Sequence, residues 1–301
     1  MLDITTIESL IEREMRAHRI PGFALAIIVE RELVYARGFG VTSSEAPMQP
    51  ITPDTLFCSG SIGKSFVGIA AMRLVEQGKL DLDQPITTYV PRLTFSQPEF
   101  APGVTMRRLL SHSAGLFGTA GDFGPRDLSG LEAFILQLLP HVEFVAPPGT
   151  VFCYCNLGIM LAGYVLETLT HVYFPQAMQQ LVFDPLGMRH TTYDRTIAMT
   201  YPVALPHRYD DRGQPYVQHR MFDFAAGNPA GQVMTSTSDL ARFTLMCLNQ
   251  GRSDTRSILT PSSMKELFMP HARLYDAEKT QYGLTFWIIN YKEYQWVGHA
   301  A

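Results

Sequence analysis

Cys58-Ser59-Gly60-Ser61-Ile62-Gly63-Lys64-Ser65-Phe66 runs a small-residue turn straight into an apolar helical pattern. The continuation, Val67-Gly68-Ile69-Ala70-Ala71-Met72-Arg73-Leu74-Val75-Glu76-Gln77, has the spacing of a buried helix, and Gly78 is a natural stop. Ser61 then falls at the helix start, with Lys64 one turn later on the same face. Three readings compete. A phosphate loop ending in Gly-Lys-Ser requires glycine five residues before Gly63, and Cys58 stands there. A Gly-x-Ser-x-Gly elbow fails because Ser59 occupies its first glycine position. A bland reading makes Ser61 a helix cap and Lys64 a solvated first-turn residue. The third holds a hydroxyl nucleophile beside an amine base, as acyl transfer needs. Two specified residues leave the last two readings open.

At 301 residues the chain can bury a large core, as one big domain or two packed lobes. Hydrophobic residues make up 46% and charged residues 17%, the proportions of a folded globular protein. The net charge is 24 − 28 = −4 without a basic run, which argues against nucleic acid or an anionic membrane as partner. Met1 to His18 is amphipathic and acidic, unlike a signal peptide, and the longest apolar stretch, Leu157 to Leu166, is too short to span a bilayer. The expectation is a cytoplasmic protein, or an exported one whose leader has been removed. Cys58, Cys153, Cys155 and Cys247 lack metal-ligand spacing with any of the nine histidines and read as buried free thiols.

Thr6 to His18 reads as an amphipathic helix, and Phe23–Val29 with Leu33–Phe39 as a β-hairpin. After the helix from Ser61, further helices are expected over Thr105–Ser111, Leu131–Leu139, Leu157–Leu169 and Tyr173–Phe183. Thr191 to Pro229 is irregular and reads as a lid or substrate-facing loop system, with Tyr209, Asp210, Asp211 and His219 as residues that could face substrate. Helices follow at Thr237–Leu248 and from Thr260-Pro261 through Phe268. Tyr282–Asn290 and Tyr294–Val297 read as paired strands. The pattern implies an α/β (α+β) chain: an antiparallel sheet from both termini, with a helical lobe inserted. The expected division is a sheet lobe of 1–57 and about 230–301, and a helical lobe of about 58–229.

A serine acyl-enzyme must lose the hydroxyl proton, meet the carbonyl oxygen with donors and protonate the leaving group. Lys64 at a free pKa of roughly 10.4 would stay protonated at neutral pH; bringing it to about 7–8 takes roughly 3–5 kcal/mol, chiefly desolvation. A tyrosine beside the pair could share the proton. Tyr154 in Tyr154-Cys155-Asn156, on a turn ahead of a buried helix, is placed to do so, although a buried tyrosine followed by a helix-capping asparagine fits the same three residues.

The joint pattern is far more specific than its parts. Ser61-x-x-Lys64, Leu109-Leu110-Ser111-His112-Ser113-Ala114-Gly115-Leu116, Pro148-Gly149-Thr150-Val151-Phe152-x-Tyr154-x-Asn156, Asp184-Pro185-Leu186-Gly187-Met188 and Gly298-His299 follow in order. In these residues the chain resembles the serine β-lactamase-like family, from about Ile7 to its last residue: class C β-lactamases, penicillin-binding proteins, and esterase and D-aminopeptidase relatives. The resemblance implies a β-lactamase/transpeptidase-like fold. It implies Ser61 as the acylated nucleophile, Lys64 as its base partner, Tyr154 as the proton shuttle and Asn156 as a substrate-orienting amide. His299-Ala300-Ala301 matches the family's third element, usually Lys-Thr-Gly or His-x-Gly, where His299 would give a hydrogen bond or a positive charge. His112 and Ser113 belong to a segment that is a structural turn by the cleft in the family.

Two departures bear on that reading. Ala301 stands where glycine is usual, and the second oxyanion donor, the residue after the third motif, lies beyond it. The family's last strands and C-terminal helix would be missing, leaving an exposed sheet edge, so a truncated fragment of a longer enzyme is expected. The resemblance implies a serine hydrolase needing no metal or cofactor, acting through an acyl-enzyme on a small-molecule ester, amide or β-lactam. The histidine of the third motif favours carboxylesterase or D-peptidase over true β-lactamase. An acyltransferase using the same acyl-enzyme, and an impaired or non-catalytic binding protein of the same fold, are the alternatives.

Overall fold

The computed structural model describes residues 2–118, 124, 126–219, 223–253, 256–274 and 279–300. The chain begins with α1 (Ile4–His18), β1 (Gly22–Val29), β2 (Glu32–Gly40) and β3 (Leu56–Cys58). Next come α2 (Gly63–Glu76), α3 (Met106–Leu110), α4 (Gly130–Leu138), α5 (Asn156–Thr170), α6 (Phe174–Met178) and α7 (Asp184–Leu186). The middle segment holds β4 (Thr191–Thr192), α8 (Arg195–Ala198), β5 (His207–Tyr209), β6 (Pro215–Val217), α9 (Asn228–Gly231) and β7 (Met234–Ser236). The remainder is α10 (Thr237–Leu248), α11 (Pro261–Phe268), β8 (Ala272–Arg273), β9 (Thr280–Tyr282), β10 (Trp287–Tyr291) and β11 (Tyr294–Gly298).

These elements form two compact units. The first comprises Met1–Cys58, Gly187–Phe222 and Met234–Leu248. Asp3 caps α1 by accepting the Thr6 N–H at 3.1 Å. The β1–β2 hairpin pairs Phe23 with Phe39 and turns through Glu30 and Arg31, both at positive φ, the signature of a type I′ turn. β7 lies between β3 and β4 in a second antiparallel sheet. The stretch read as an irregular lid or substrate-facing loop system carries the short β5–β6 hairpin. Three of the four residues named there have partners within the unit: the Tyr209 hydroxyl donates to the His18 carbonyl at 3.0 Å, Asp210 accepts the Arg212 and Gln214 N–H groups, and His219 lies 3.3 Å from Glu45. Those contacts tie the hairpin to its own unit.

The second unit comprises Ser59–Leu186, Asp223–Val233 and Asn249–Ala301. Its axis is α2, buried from Gly63 through Met72, with Phe66 edge-on to Phe183 at 5.5 Å. Gly163 on α5 leaves no room for a side chain: a Cβ there would stand 2.3 Å from Pro229 Cγ. That approach seats α9 against α5 and α2. The last strands form one antiparallel sheet in the order β11-β10-β9-β8.

The strands of the two termini are antiparallel, as expected, but they lie in separate sheets: β1 pairs only with β2 among the described residues. The division also differs from 1–57 and 230–301 against 58–229, because the C-terminal strands fall with the helices. The reason is local bonding. The Thr285 N–H donates to the Leu110 carbonyl at 2.9 Å, Gly68 lets Thr285 pack on the α2 backbone, and Arg107 joins Asp83 to Glu266 on α11. Tyr282, read as part of the strand to Asn290, belongs to β9, and Gly283 to Phe286 turn before β10.

Candidate active site

Ser61 sits within a 3₁₀ turn, Gly60–Ile62, rather than on the α-helix proper, and caps no helix. The turn is pinned from α9: a Cβ on Gly231 (φ +151°) would lie 2.6 Å from the Gly60 carbonyl carbon and 3.1 Å from the Ser61 nitrogen. Only glycine fits so close a backbone approach.

Lys64, in the first turn of α2, has 0% exposure, so it is not a solvated residue. Its ammonium group donates to Ser61 Oγ at 2.8 Å and to the Ala230 carbonyl at the end of α9. Burial drives its pKa from 10.5 to about 7, against a smaller opposing effect of Cys155. The shift corresponds to on the order of 5 kcal/mol against the charged form.

Tyr154 packs its ring beside that amine, with Lys64 Nζ 5.2 Å from the ring centroid. Burial raises the phenol's pKa, while its hydrogen bond with Ser61 acts the other way. Tyr154 is therefore a neutral hydrogen-bonding phenol at neutral pH, and Lys64 is the member of the trio whose pKa lies near 7. With that split the amine is able to accept a proton near neutral pH and the phenol is able to donate one.

His299 follows β11. Its Nδ1 lies 2.6 Å from the Ala300 carbonyl and its Nε2 3.2 Å from the Tyr282 hydroxyl. A carbonyl can only accept, so Nδ1 carries the proton and Nε2 accepts from the phenol. Burial first, and the Lys64 charge last, hold its pKa at about 4, so it contributes a hydrogen bond rather than a positive charge. Its ring centroid lies 6.1 Å from that of Tyr154.

The structure thus gathers Ser61, Lys64, Tyr154 and His299. Asn156 begins α5 with its side chain exposed and without a hydrogen bond to that cluster among the described residues. The cap of α5 is Cys155, whose sulfur accepts the Gly158 N–H at 3.3 Å, so Asn156 is not the capping residue. Ala301 lies outside the described residues. None of the four cysteines is in a disulfide; Cys155 is buried, whereas Cys58 is exposed. Among the described residues no group of three or more His, Cys, Asp and Glu is arranged to hold a metal ion.

Three contributors escaped the sequence reading. The Ala230 carbonyl carries no side-chain signal at all. Tyr282 and Trp287 wall the cluster, with the Trp287 ring parallel to Tyr154 within 10° and their centroids 6.2 Å apart. Both lay in a predicted strand, but period-two alternation does not say which face meets a site on another element.

The sequence and the fold have known counterparts. A family model described as Beta-lactamase matches residues 7–301, and the chain belongs to that family, whose members are serine hydrolases. It is similar to Penicillin-binding protein 4 of Amycolatopsis lactamdurans, at 32% identity over 244 residues, covering 78% of this chain and 61% of that protein. Among solved structures, the octameric penicillin-binding protein homologue from Pyrococcus abyssi superposes with a TM-score of 0.85 at 27% identity, covering 99% of this chain and 68% of that one. D-alanine carboxypeptidase AmpC from Burkholderia cenocepacia gives 0.76 at 27% identity, over 96% and 75%. The chain spans about half to three fifths of the length of curated relatives it matches.

Proposed function

We propose that this protein hydrolyses an ester or amide through an acyl-enzyme on Ser61. The observation that carries the reading is the buried Lys64 amine 2.8 Å from Ser61 Oγ, brought by burial to about 7. In the proposed sequence the neutral amine takes the hydroxyl proton as Ser61 Oγ bonds to the acyl carbon. The carbonyl π electrons move to oxygen and return as the leaving-group bond breaks. Tyr154, hydrogen-bonded to Ser61, hands a proton to the departing group and regains one from Lys64. Water repeats the attack and frees Ser61.

Within that reading, a carboxylesterase or D-peptidase is favoured over a true β-lactamase. Support comes from His299, which puts a neutral ring where a lysine would present fixed charge. The test is a panel of a p-nitrophenyl ester, a β-lactam and a D-alanyl-D-alanine peptide, with Ser61→Ala as the blank and a fluorophosphonate probe read by intact mass. Ser61-dependent turnover of ester or D-peptide is expected. Turnover that survives in Ser61→Ala would sink the proposal.

A further inference from the structure

His112 occupies the turn after α3 with a left-handed backbone, φ +56°, and 2% exposure. It grips Tyr154 from both sides. Its carbonyl accepts the Cys153 N–H at 2.8 Å, and its Nδ1 accepts the Cys155 N–H at 3.1 Å. The amides before and after Tyr154 thus both end on one residue. The imidazole also lies against the phenol ring, with centroids 4.3 Å apart at 42°, and meets Tyr282 at 5.0 Å.

Acceptance at Nδ1 puts the ring proton on Nε2, and Nε2 is buried without a hydrogen-bond partner among the described residues. An unpaired buried N–H and a left-handed non-glycine backbone both oppose folding. Packing alone would be met more cheaply by an apolar ring. What an apolar ring lacks is the acceptor that fixes the Cys155 amide.

We infer that His112 is a positioning residue for Tyr154, holding the phenol against Ser61 and Lys64 through its carbonyl and Nδ1. The inference rests on the acyl-enzyme reading above, and His112 itself touches none of the reacting atoms. An orienting hydrogen bond of this kind affects the chemical step, since displacing a reacting group by about 1 Å can cost about 10²-fold in rate.

The experiment compares wild type, His112→Phe and His112→Asn in p-nitrophenyl butyrate hydrolysis and in the rate of fluorophosphonate labelling, both per folded molecule by near-UV circular dichroism. Phenylalanine keeps a ring and loses the acceptor; asparagine loses the ring, places Oδ1 where Nδ1 was and tolerates positive φ. His112→Phe is expected to lower kcat about 10- to 100-fold with KM within about threefold. His112→Asn is expected to recover kcat to within about threefold of wild type. Equal kcat in all three, or Asn as impaired as Phe, overturns the positioning role. A wild type that neither labels at Ser61 nor turns over overturns the acyl-enzyme reading first, and this inference with it.

Discussion

Lys64 Nζ stands 2.8 Å from Ser61 Oγ with no solvent exposure, and no acidic side chain among the described residues forms an ion pair with it. A lysine buried beside a hydroxyl and a carbonyl, without a counter-charge, is driven toward its neutral form.

The acylation rate should therefore rise with pH along a limb centred near 7, as Lys64 loses its proton. Fluorophosphonate labelling of Ser61 between pH 5 and 9 measures it. A limb near 10 would mean that the amine is not the base.

Lys64→Met should lower acylation by about 10²–10⁴-fold while making the protein more stable at pH 6. The folded pKa lies below the unfolded one, so the unfolded chain binds the extra proton between about 7 and 10.5. Stability accordingly rises with pH through that window, and the full penalty is present below it. Removing the amine should recover on the order of 2–4 kcal/mol at pH 6, after the loss of its hydrogen bonds, and less at pH 9.5. Urea unfolding at both pH values checks it; destabilisation of equal size at both would refute the assignment.

Gly231→Ala should damage the site more than its size suggests. The added Cβ meets Gly60 backbone at 2.6 Å, which cannot yield as a side chain would. A loss of about 2 kcal/mol or more is expected, together with at least a tenfold fall in Ser61 labelling. Gly78→Ala is the contrast: its φ is +68° with nothing within 4 Å, so only backbone strain of about 1–2 kcal/mol is expected, with labelling per folded molecule unchanged. Thermal unfolding and labelling of both variants separate steric displacement from strain.

His299 should show the Nδ1–H tautomer and should not titrate between pH 5.5 and 8, as read by nitrogen-15 NMR of the ring. Its folded pKa is lowered from 6.5 to about 4, so the unfolded state takes the proton first as pH falls. The contribution of His299 to stability should be intact above 6.5 and be lost progressively toward 4. A midpoint near 6.5 in the native protein would contradict this.

The Ser61–Lys64 pair could be read from sequence because helical spacing alone puts the two on one face, and their 2.8 Å hydrogen bond reflects it. Tyr154 was readable only through its place in an ordered series of motifs, since nothing within Tyr154-Cys155-Asn156 distinguishes a site residue from a core one. The hairpin of β1 and β2 followed from two apolar runs joined by a short polar turn. The failures share a cause. Separation of the terminal strands into two sheets, attachment of β8–β11 to α2 and α3, and capture of Tyr209 by the end of α1 all depend on hydrogen bonds between segments remote in sequence. Periodicity describes a segment's own faces and is silent about which distant backbone will meet them.

The Ala230 carbonyl gives the lysine a direction. A neutral primary amine on a flexible stem spins freely and offers its lone pair anywhere. With one N–H committed to a fixed backbone oxygen, the remaining orientations narrow, and one of them aims the lone pair at Ser61. When Lys64 gives up its ammonium proton, the bond to Ser61 can reverse its sense, the hydroxyl becoming donor where it had been acceptor. A main-chain atom that no side-chain substitution can delete thus acts as the compass needle's pivot for the proton's first move.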